Sequence, residues 1–77
     1  MTQHTQPITQ FTVPWGQQEI SLEELRFEAG GLPLLRVRIR EGKRFTIFDI
    51  DPATAATWAQ AMQRWSEQTQ DAPHDQA

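Results

Sequence analysis

Hydrophobic and polar residues alternate along the first part of the chain, with the period of two that is typical of a strand with one buried face. Phe11, Val13 and Trp15 occupy alternate positions in the first such segment. Pro14 lies among them and cannot donate a hydrogen bond to a neighbouring strand, so we expect an edge strand or the end of a strand here. A turn is predicted to follow at Gly16-Gln17-Gln18.

A second alternating segment covers residues 19–29, but its phase slips by one residue at Glu23-Glu24. A β-bulge at this point would return both halves of a strand to the same face. The alternative is a short helical turn, because Ser21 followed three residues later by Glu24 resembles a capping box. We favour the bulged strand.

A third strand is predicted over residues 34–40, after a turn at Gly30-Gly31-Leu32-Pro33. Leu35, Val37 and Ile39 share one face of this strand. The other face carries Leu34 and the three arginines at positions 36, 38 and 40. Because both turns are short, we expect each pair of neighbouring strands to be antiparallel.

The turn at Arg40-Glu41-Gly42 decides the register of the fourth strand. A two-residue loop at Glu41-Gly42 would pair Val37 with Thr46 and place the apolar residues of the two strands on opposite faces. A three-residue loop with Gly42 in the left-handed region instead pairs Val37 with Phe45, and Leu35 with Ile47. This second register builds one continuous apolar face, and we predict it for that reason.

A helix is predicted to begin at Asp51-Pro52. Asp51 is a suitable N-cap, and Pro52 has no N–H group to leave unpaired in the first turn. Apolar residues then recur at spacings of three and four, at Ala55, Trp58, Ala59, Met62 and Trp65. The pattern indicates an amphipathic helix of about four turns that lies on one face of the sheet.

These elements predict an α+β fold, a three- to four-stranded antiparallel β-meander with one C-terminal amphipathic helix packed on one face. We expect a single domain over residues 7–67, with a disordered arm at 1–6 and a disordered tail at 68–77, because both ends are almost wholly polar. The predicted core comprises Phe11, Val13, Ile20, Leu22, Leu25, Phe27, Leu35, Val37, Ile39, Phe45, Ile47, Trp58, Met62 and Trp65.

Composition excludes several classes of protein. The chain has 77 residues and no cysteine, which excludes a disulfide framework or a zinc ribbon. Of the net charge of −3, Asp71 and Asp75 supply two, so residues 7–67 carry 7 basic and 8 acidic side chains and a charge of −1. The sequence shows no export signal and no membrane-spanning run, so we expect a cytoplasmic protein that is not bound to a membrane.

The sequence offers little catalytic chemistry. Asp49 and Asp51 form a D-x-D pattern that can hold a divalent cation, but no third ligand lies at a suitable spacing. We expect Asp49 to face the covered side of the sheet, near the start of the helix. His4 and His74 lie in the predicted ends. The chain has no cysteine or tyrosine and has serine only at Ser21 and Ser66, so a nucleophile–base pair has few possible members. We therefore predict no enzymatic activity, no metal or cofactor site and no small-molecule ligand.

The uncovered face of the sheet is the candidate interaction surface. Its basic side chains could bind single-stranded nucleic acid, or Glu24 and Glu28 could pair with Arg38 and Arg36 to form a solvated charge ladder. Exposed apolar residues beside the arginines instead indicate a protein partner. We favour a non-catalytic interaction module, a homodimer or a partner of a larger protein, with nucleic-acid binding as the alternative. The candidate residues are Leu34, Arg36, Arg38, Arg40, Arg44, Phe48 and Ile50.

The segments LLRVRIREGKRFTIFDIDPATA and WAQAMQRW resemble short bacterial proteins of unknown function. The likeness covers most of the predicted domain. It implies an accessory role in bacteria and brings no catalytic or binding residues.

Overall fold

The computed structural model describes residues 3–70 of the chain. Four strands precede one helix: β1 (Gln3–Thr12), β2 (Glu19–Phe27), β3 (Leu34–Glu41), β4 (Arg44–Ile50) and α1 (Pro52–Gln70). The strands form one antiparallel sheet in the order β1-β2-β3-β4. The predicted α+β meander with a C-terminal helix is confirmed. Within residues 3–70, no helix is long and apolar enough to cross a membrane.

The regular secondary structure extends beyond the predicted domain at both ends of the chain. Residues 3–6 pair with residues 24–27 of β2, so the predicted disordered arm is wrong for these positions. Their polar side chains contribute little burial, but pairing satisfies the backbone groups that point towards β2. At the other end, residues 68–70 continue α1. Residues 1–2 and 71–77, with His74 and most of the predicted tail, lie outside the described residues.

The first two turns lie close to their predicted positions. Strand β1 ends at Thr12, and the following loop closes where the Val13 N–H donates to the Gln18 carbonyl at 2.8 Å. Trp15 lies in this loop and is 97% exposed, so its predicted place in the strand is wrong. The loop after β2 contains Gly30 and Gly31, whose φ angles of +95° and +99° suit glycine.

Strand β2 contains neither the predicted bulge nor the alternative helical turn. Its pairing with β3 is continuous from Glu19 opposite Arg40 to Leu25 opposite Leu34. The irregularity lies instead in β1, where the register shifts between Pro7 and Thr9. Proline has no N–H group to donate to a neighbouring strand, so it is found on edge strands and at bulges. Pro7 meets both conditions, because β1 is an edge strand and its register shifts beside Pro7. Leu25 and Phe27 consequently lie on the opposite face of the sheet from Ile20 and Leu22.

The hairpin between β3 and β4 closes on a two-residue turn, Gly42-Lys43. Gly42 has a φ of +60° and Lys43 does not have a positive φ, the combination found in a type II′ turn. In this register Val37 pairs with Phe48, and Leu35 pairs with Ile50. The predicted three-residue loop and the pairing of Val37 with Phe45 are therefore wrong.

The register gives the sheet two distinct faces. The helix face, on the side of α1, is mainly apolar and carries Phe11, Ile20, Leu22, Leu35, Val37, Ile39, Phe48 and Ile50. The open face carries charged residues from β2, β3 and β4 together with Leu25, Leu34, Phe45 and Ile47. The open face is not covered by α1.

The buried core is small. Leu25 and Val37 are the buried hydrophobic residues within 3–70, with 1% and 4% of their surface exposed. Several members of the predicted core are half-buried, namely Val13, Ile20, Leu22, Phe27, Leu35 and Ile39. The prediction is wrong for those that remain exposed, which are Phe11, Phe45, Ile47, Trp58, Met62 and Trp65.

Candidate interaction surfaces

Three arginines of β3 form ion pairs across the open face. The Arg36 guanidinium donates from Nε to Asp49 Oδ1 at 2.9 Å and from Nη2 to Oδ2 at 3.1 Å. Arg40 binds Glu19 in the same two-pronged way, at 3.1 Å and 2.7 Å. Arg38 Nη2 lies 3.6 Å from Glu23 Oε1, an ion pair without a short hydrogen bond. The row of arginines is therefore matched by a row of carboxylates.

These hydrogen bonds hold the carboxylates in their ionised form. The Arg36 guanidinium lowers the pKa of Asp49, an effect that partial burial opposes. Arg40 lowers the pKa of Glu19 for the same reason, first by hydrogen bonding and then by charge attraction. The pKa values of Arg36 and Arg40 are raised in turn. Both pairs remain charged at neutral pH.

The charge ladder differs in its partners from the one proposed from the sequence. Glu24 pairs with Arg26 of its own strand at 3.0 Å, and Glu28 lies in the exposed loop after β2. Because β2 has no bulge, its odd-numbered positions face the arginines of β3, so Glu23 replaces Glu24 as the partner of Arg38. The predicted pairings of Arg38 with Glu24 and of Arg36 with Glu28 are wrong.

The two aspartates of the D-x-D pattern have separate structural partners. Asp49 lies on the open face with Arg36, so its predicted position on the covered side is wrong. Asp51 caps α1 as predicted, since its carboxylate accepts from the Thr54 N–H at 3.2 Å and from the Thr54 hydroxyl. These bonds lower the pKa of Asp51. Within residues 3–70, no group of three or more potential ligands could hold a metal ion.

The candidate interaction residues do not form one surface. Leu34, Arg36, Arg38 and Arg40 lie on the open face, whereas Arg44, Phe48 and Ile50 belong to the helix face. The expected cluster of Leu34, Phe48 and Ile50 is therefore wrong. The reason is parity, because successive side chains of a strand alternate between faces and a shift of an odd number of residues exchanges them.

Phe48 is part of the contact between the sheet and the helix. Its ring centroid lies 6.0 Å from that of Trp58, with an angle of 39° between the ring planes. A tilted arrangement at this distance is favourable for two aromatic rings. The contact attaches α1 to the β4 edge of the sheet, although 36% of Phe48 and 43% of Trp58 remain exposed.

An apolar cavity of about 360 Å³ separates the rest of α1 from the helix face. Its lining is contributed by all four strands and by the helix, namely Phe11, Ile20, Leu22, Leu35, Val37, Ile39, Ile50, Ala55, Trp58, Ala59 and Met62. No residue of α1 is buried. The helix therefore covers the sheet without closing a core against it.

Strand β4 carries two exposed apolar residues that were predicted to be buried. Phe45 is 60% exposed and Ile47 is 50% exposed, both on the open face. The sequence signal for them is the segment Phe45–Ile50, which has apolar residues at both odd and even positions. Such a segment is typical of a strand that is covered on both faces, yet β4 lies at the edge of the sheet.

No curated protein and no solved structure shows significant similarity to the chain. A family of unknown function, DUF6967, matches residues 2–68, which include the whole sheet and nearly all of α1. The chain belongs to the DUF6967 family.

Proposed function

We propose that this protein is a small non-catalytic interaction module that binds a second copy of itself. The observation that supports the proposal is the exposed apolar stripe of α1, formed by Trp58, Met62 and Trp65. These side chains are 43%, 52% and 66% exposed although they lie on the apolar side of the helix. Burial of such surface is the main favourable term in both folding and association.

The size of the chain supports the same proposal. A domain of 77 residues without a disulfide has a small core, and association is a common way for such a domain to gain stability. The residues with half or more of their surface exposed include Phe11 and Phe45 in addition to Met62 and Trp65. Several large apolar side chains exposed on a small protein commonly mark an interface.

The exposed area is of the order that a dimer needs. A fully exposed aromatic side chain presents roughly 150–250 Å². At their observed exposures, the three side chains of the helix stripe therefore offer roughly 250–400 Å² per copy. A stable interface buries about 800 Å² per partner, so this surface would supply about a third to a half of it.

Nucleic-acid binding has less support from the arrangement of charges. The arginines of the open face that would contact phosphate groups are each matched with a carboxylate, Arg36 with Asp49, Arg38 with Glu23 and Arg40 with Glu19. A phosphate backbone would have to compete with these carboxylates and would be repelled by them.

Analytical ultracentrifugation over a wide range of protein concentration tests the proposal. We expect a dimer that dissociates on dilution. Trp65→Glu places a charge in the helix stripe and should shift the equilibrium towards monomer. Gln60→Glu is the matched control. It adds the same negative charge as Trp65→Glu, but at a residue that is exposed on the opposite side of α1. A wild-type protein that stays monomeric at every concentration would contradict self-association.

A further inference from the structure

The two edges of the sheet are protected to different degrees. Strand β1 carries Pro7 and a bulge, and both features hinder pairing with another strand. Strand β4 has seven residues, regular pairing with β3 and neither a proline nor a bulge. An edge strand that is regular, exposed and rich in apolar residues is a template for a further strand.

We infer that two copies of the chain associate by antiparallel pairing of β4 with β4 of the second copy, an inference that rests on the proposed self-association. This contact is isologous, because each copy offers the same strand around a two-fold axis. It would join two four-stranded sheets into one continuous sheet. The open edge of β4 then pairs with a second strand, and the exposed apolar side chains of β4 become part of an interface.

The backbone groups available for this pairing follow from the turn. In a β-turn closed by Gly42-Lys43, the Arg44 N–H bonds to the Glu41 carbonyl, so Arg44 directs its backbone groups towards β3. Hydrogen-bonded and non-hydrogen-bonded pairs alternate along an antiparallel ladder. Phe45, Ile47 and Asp49 consequently direct their N–H and C=O groups outwards, to the open edge.

Side-chain matching selects the register. When the two-fold axis passes at Thr46, Phe45 lies opposite Ile47 of the second copy, and Ile47 lies opposite Phe45 of the second copy. Four exposed apolar side chains then form one cluster on the open face. The same register brings Lys43, the turn residue that precedes β4, close to Asp49 of the second copy, so that opposite charges are near each other. An axis at Ile47 would instead place the Phe45 ring opposite the Asp49 carboxylate.

The symmetry also relates this contact to the helix stripe. A two-fold axis perpendicular to the sheet leaves the helix faces of both copies on the same side. The exposed stripes of Trp58, Met62 and Trp65 from both copies then lie on one side of the joined sheet. Phe48 attaches each helix at β4, the strand that forms the junction. Edge pairing of β4 is therefore compatible with a contribution of the helix stripes to the same dimer.

A single introduced cysteine tests the register, because the chain has no cysteine of its own. Thr46 and its symmetry mate would form a non-hydrogen-bonded pair with Cα atoms about 4.5 Å apart, within the range that a disulfide spans. We expect Thr46→Cys to give a disulfide-linked dimer under mild oxidation, at a yield at least ~10-fold above that of the control Thr12→Cys on the opposite edge strand. Faster linkage of Ile47→Cys would overturn the register centred on Thr46.

A matched pair of lysine variants tests the edge itself. Ile47→Lys places a charge at the proposed junction and should weaken dimerisation at least ~10-fold. Ile8→Lys is the control on β1, where Ile8 is 57% exposed compared with 50% for Ile47. If the wild type is a dimer, but Thr46→Cys does not cross-link and Ile47→Lys leaves dimerisation unchanged, edge pairing is wrong while self-association stands. A wild-type monomer overturns both.

Discussion

The Arg36 guanidinium binds Asp49 through two parallel hydrogen bonds, which join neighbouring residues of β3 and β4 on the open face. The two side chains are only 25% and 29% exposed. Their pairing depends on the two-residue turn at Gly42-Lys43, because the predicted register would have placed Asp49 on the other face. The Arg36–Asp49 pair is therefore specific to the observed register of the hairpin.

The Arg36–Asp49 pair should make stability depend on pH. Arg36 lowers the folded-state pKa of Asp49, so the stabilisation is complete above the ordinary carboxyl pKa and is lost as the pH falls through the lowered value. We expect Asp49→Asn to lower the melting temperature at pH 7 and to differ progressively less from the wild type in acid. Thermal denaturation followed by circular dichroism between pH 7 and pH 2 measures this difference.

Glu28→Gln is the control for that experiment, because Glu28 lies on the exposed loop outside the strands. Its melting temperature should follow the wild type at each pH. A difference between Asp49→Asn and wild type that grows on acidification would contradict the role of Arg36 in holding Asp49 ionised.

The carboxylates of the open face should suppress binding of nucleic acid. The wild type is expected not to bind a single-stranded oligonucleotide at low salt. Neutralising Glu19, Glu23 and Asp49 together, as Gln, Gln and Asn, uncovers three arginines and should create weak binding that falls steeply with salt. Fluorescence anisotropy of a labelled oligonucleotide measures both proteins. Salt-dependent binding by the wild type would favour the nucleic-acid alternative.

Phe48 and Trp58 should be energetically coupled, because their rings are in contact across the junction of sheet and helix. A double-mutant cycle with Phe48→Leu and Trp58→Leu is expected to give a coupling free energy of about 0.5–1.5 kcal/mol. Chemical denaturation of the four proteins at one concentration supplies the values. The control cycle combines Phe45→Leu with Trp58→Leu. Phe45 lies on the other face of the sheet, so its coupling free energy with Trp58 should be near zero.

Gly42 should be more sensitive to substitution than its neighbour in the turn. Its φ of +60° is unfavourable for a residue with a Cβ atom, so Gly42→Ala is expected to lower the free energy of unfolding by about 1–2 kcal/mol. No atom would clash with the added Cβ, so the cost is conformational. Lys43→Ala should be nearly neutral when measured by urea denaturation. Equal effects at the two positions would contradict the assignment of the turn.

The sequence by itself determined the features that depend on neighbouring residues. Asp51 followed by Pro52 predicted the start of the helix, because capping involves atoms within one turn of the chain. The glycine pair at Gly30-Gly31 predicted the loop between β2 and β3. Alternation predicted β3, and most of β2 and β4, because the period of two is a property of each strand alone.

Only the tertiary structure decided the features that depend on pairing between strands. The phase slip at Glu23-Glu24 is compatible with a bulge in β2, but the shift lies at Pro7 in β1, and β2 keeps Leu25 on the opposite face from Leu22. The turn around Gly42 admits several lengths. Changing its length from three residues to two exchanges the faces of every side chain in β4, so a local choice reassigned Phe45, Ile47, Phe48 and Asp49 together.

The closeness of α1 to the sheet was also decided at the tertiary level. Amphipathicity predicts that Trp58, Met62 and Trp65 avoid water, but it does not specify which surface covers them. In the single chain 43% to 66% of their surface remains exposed, beside an apolar cavity. The physical reason is that the hydrophobic effect is non-directional: the sequence determines which residues favour burial, and the geometry of the surrounding elements determines where burial occurs.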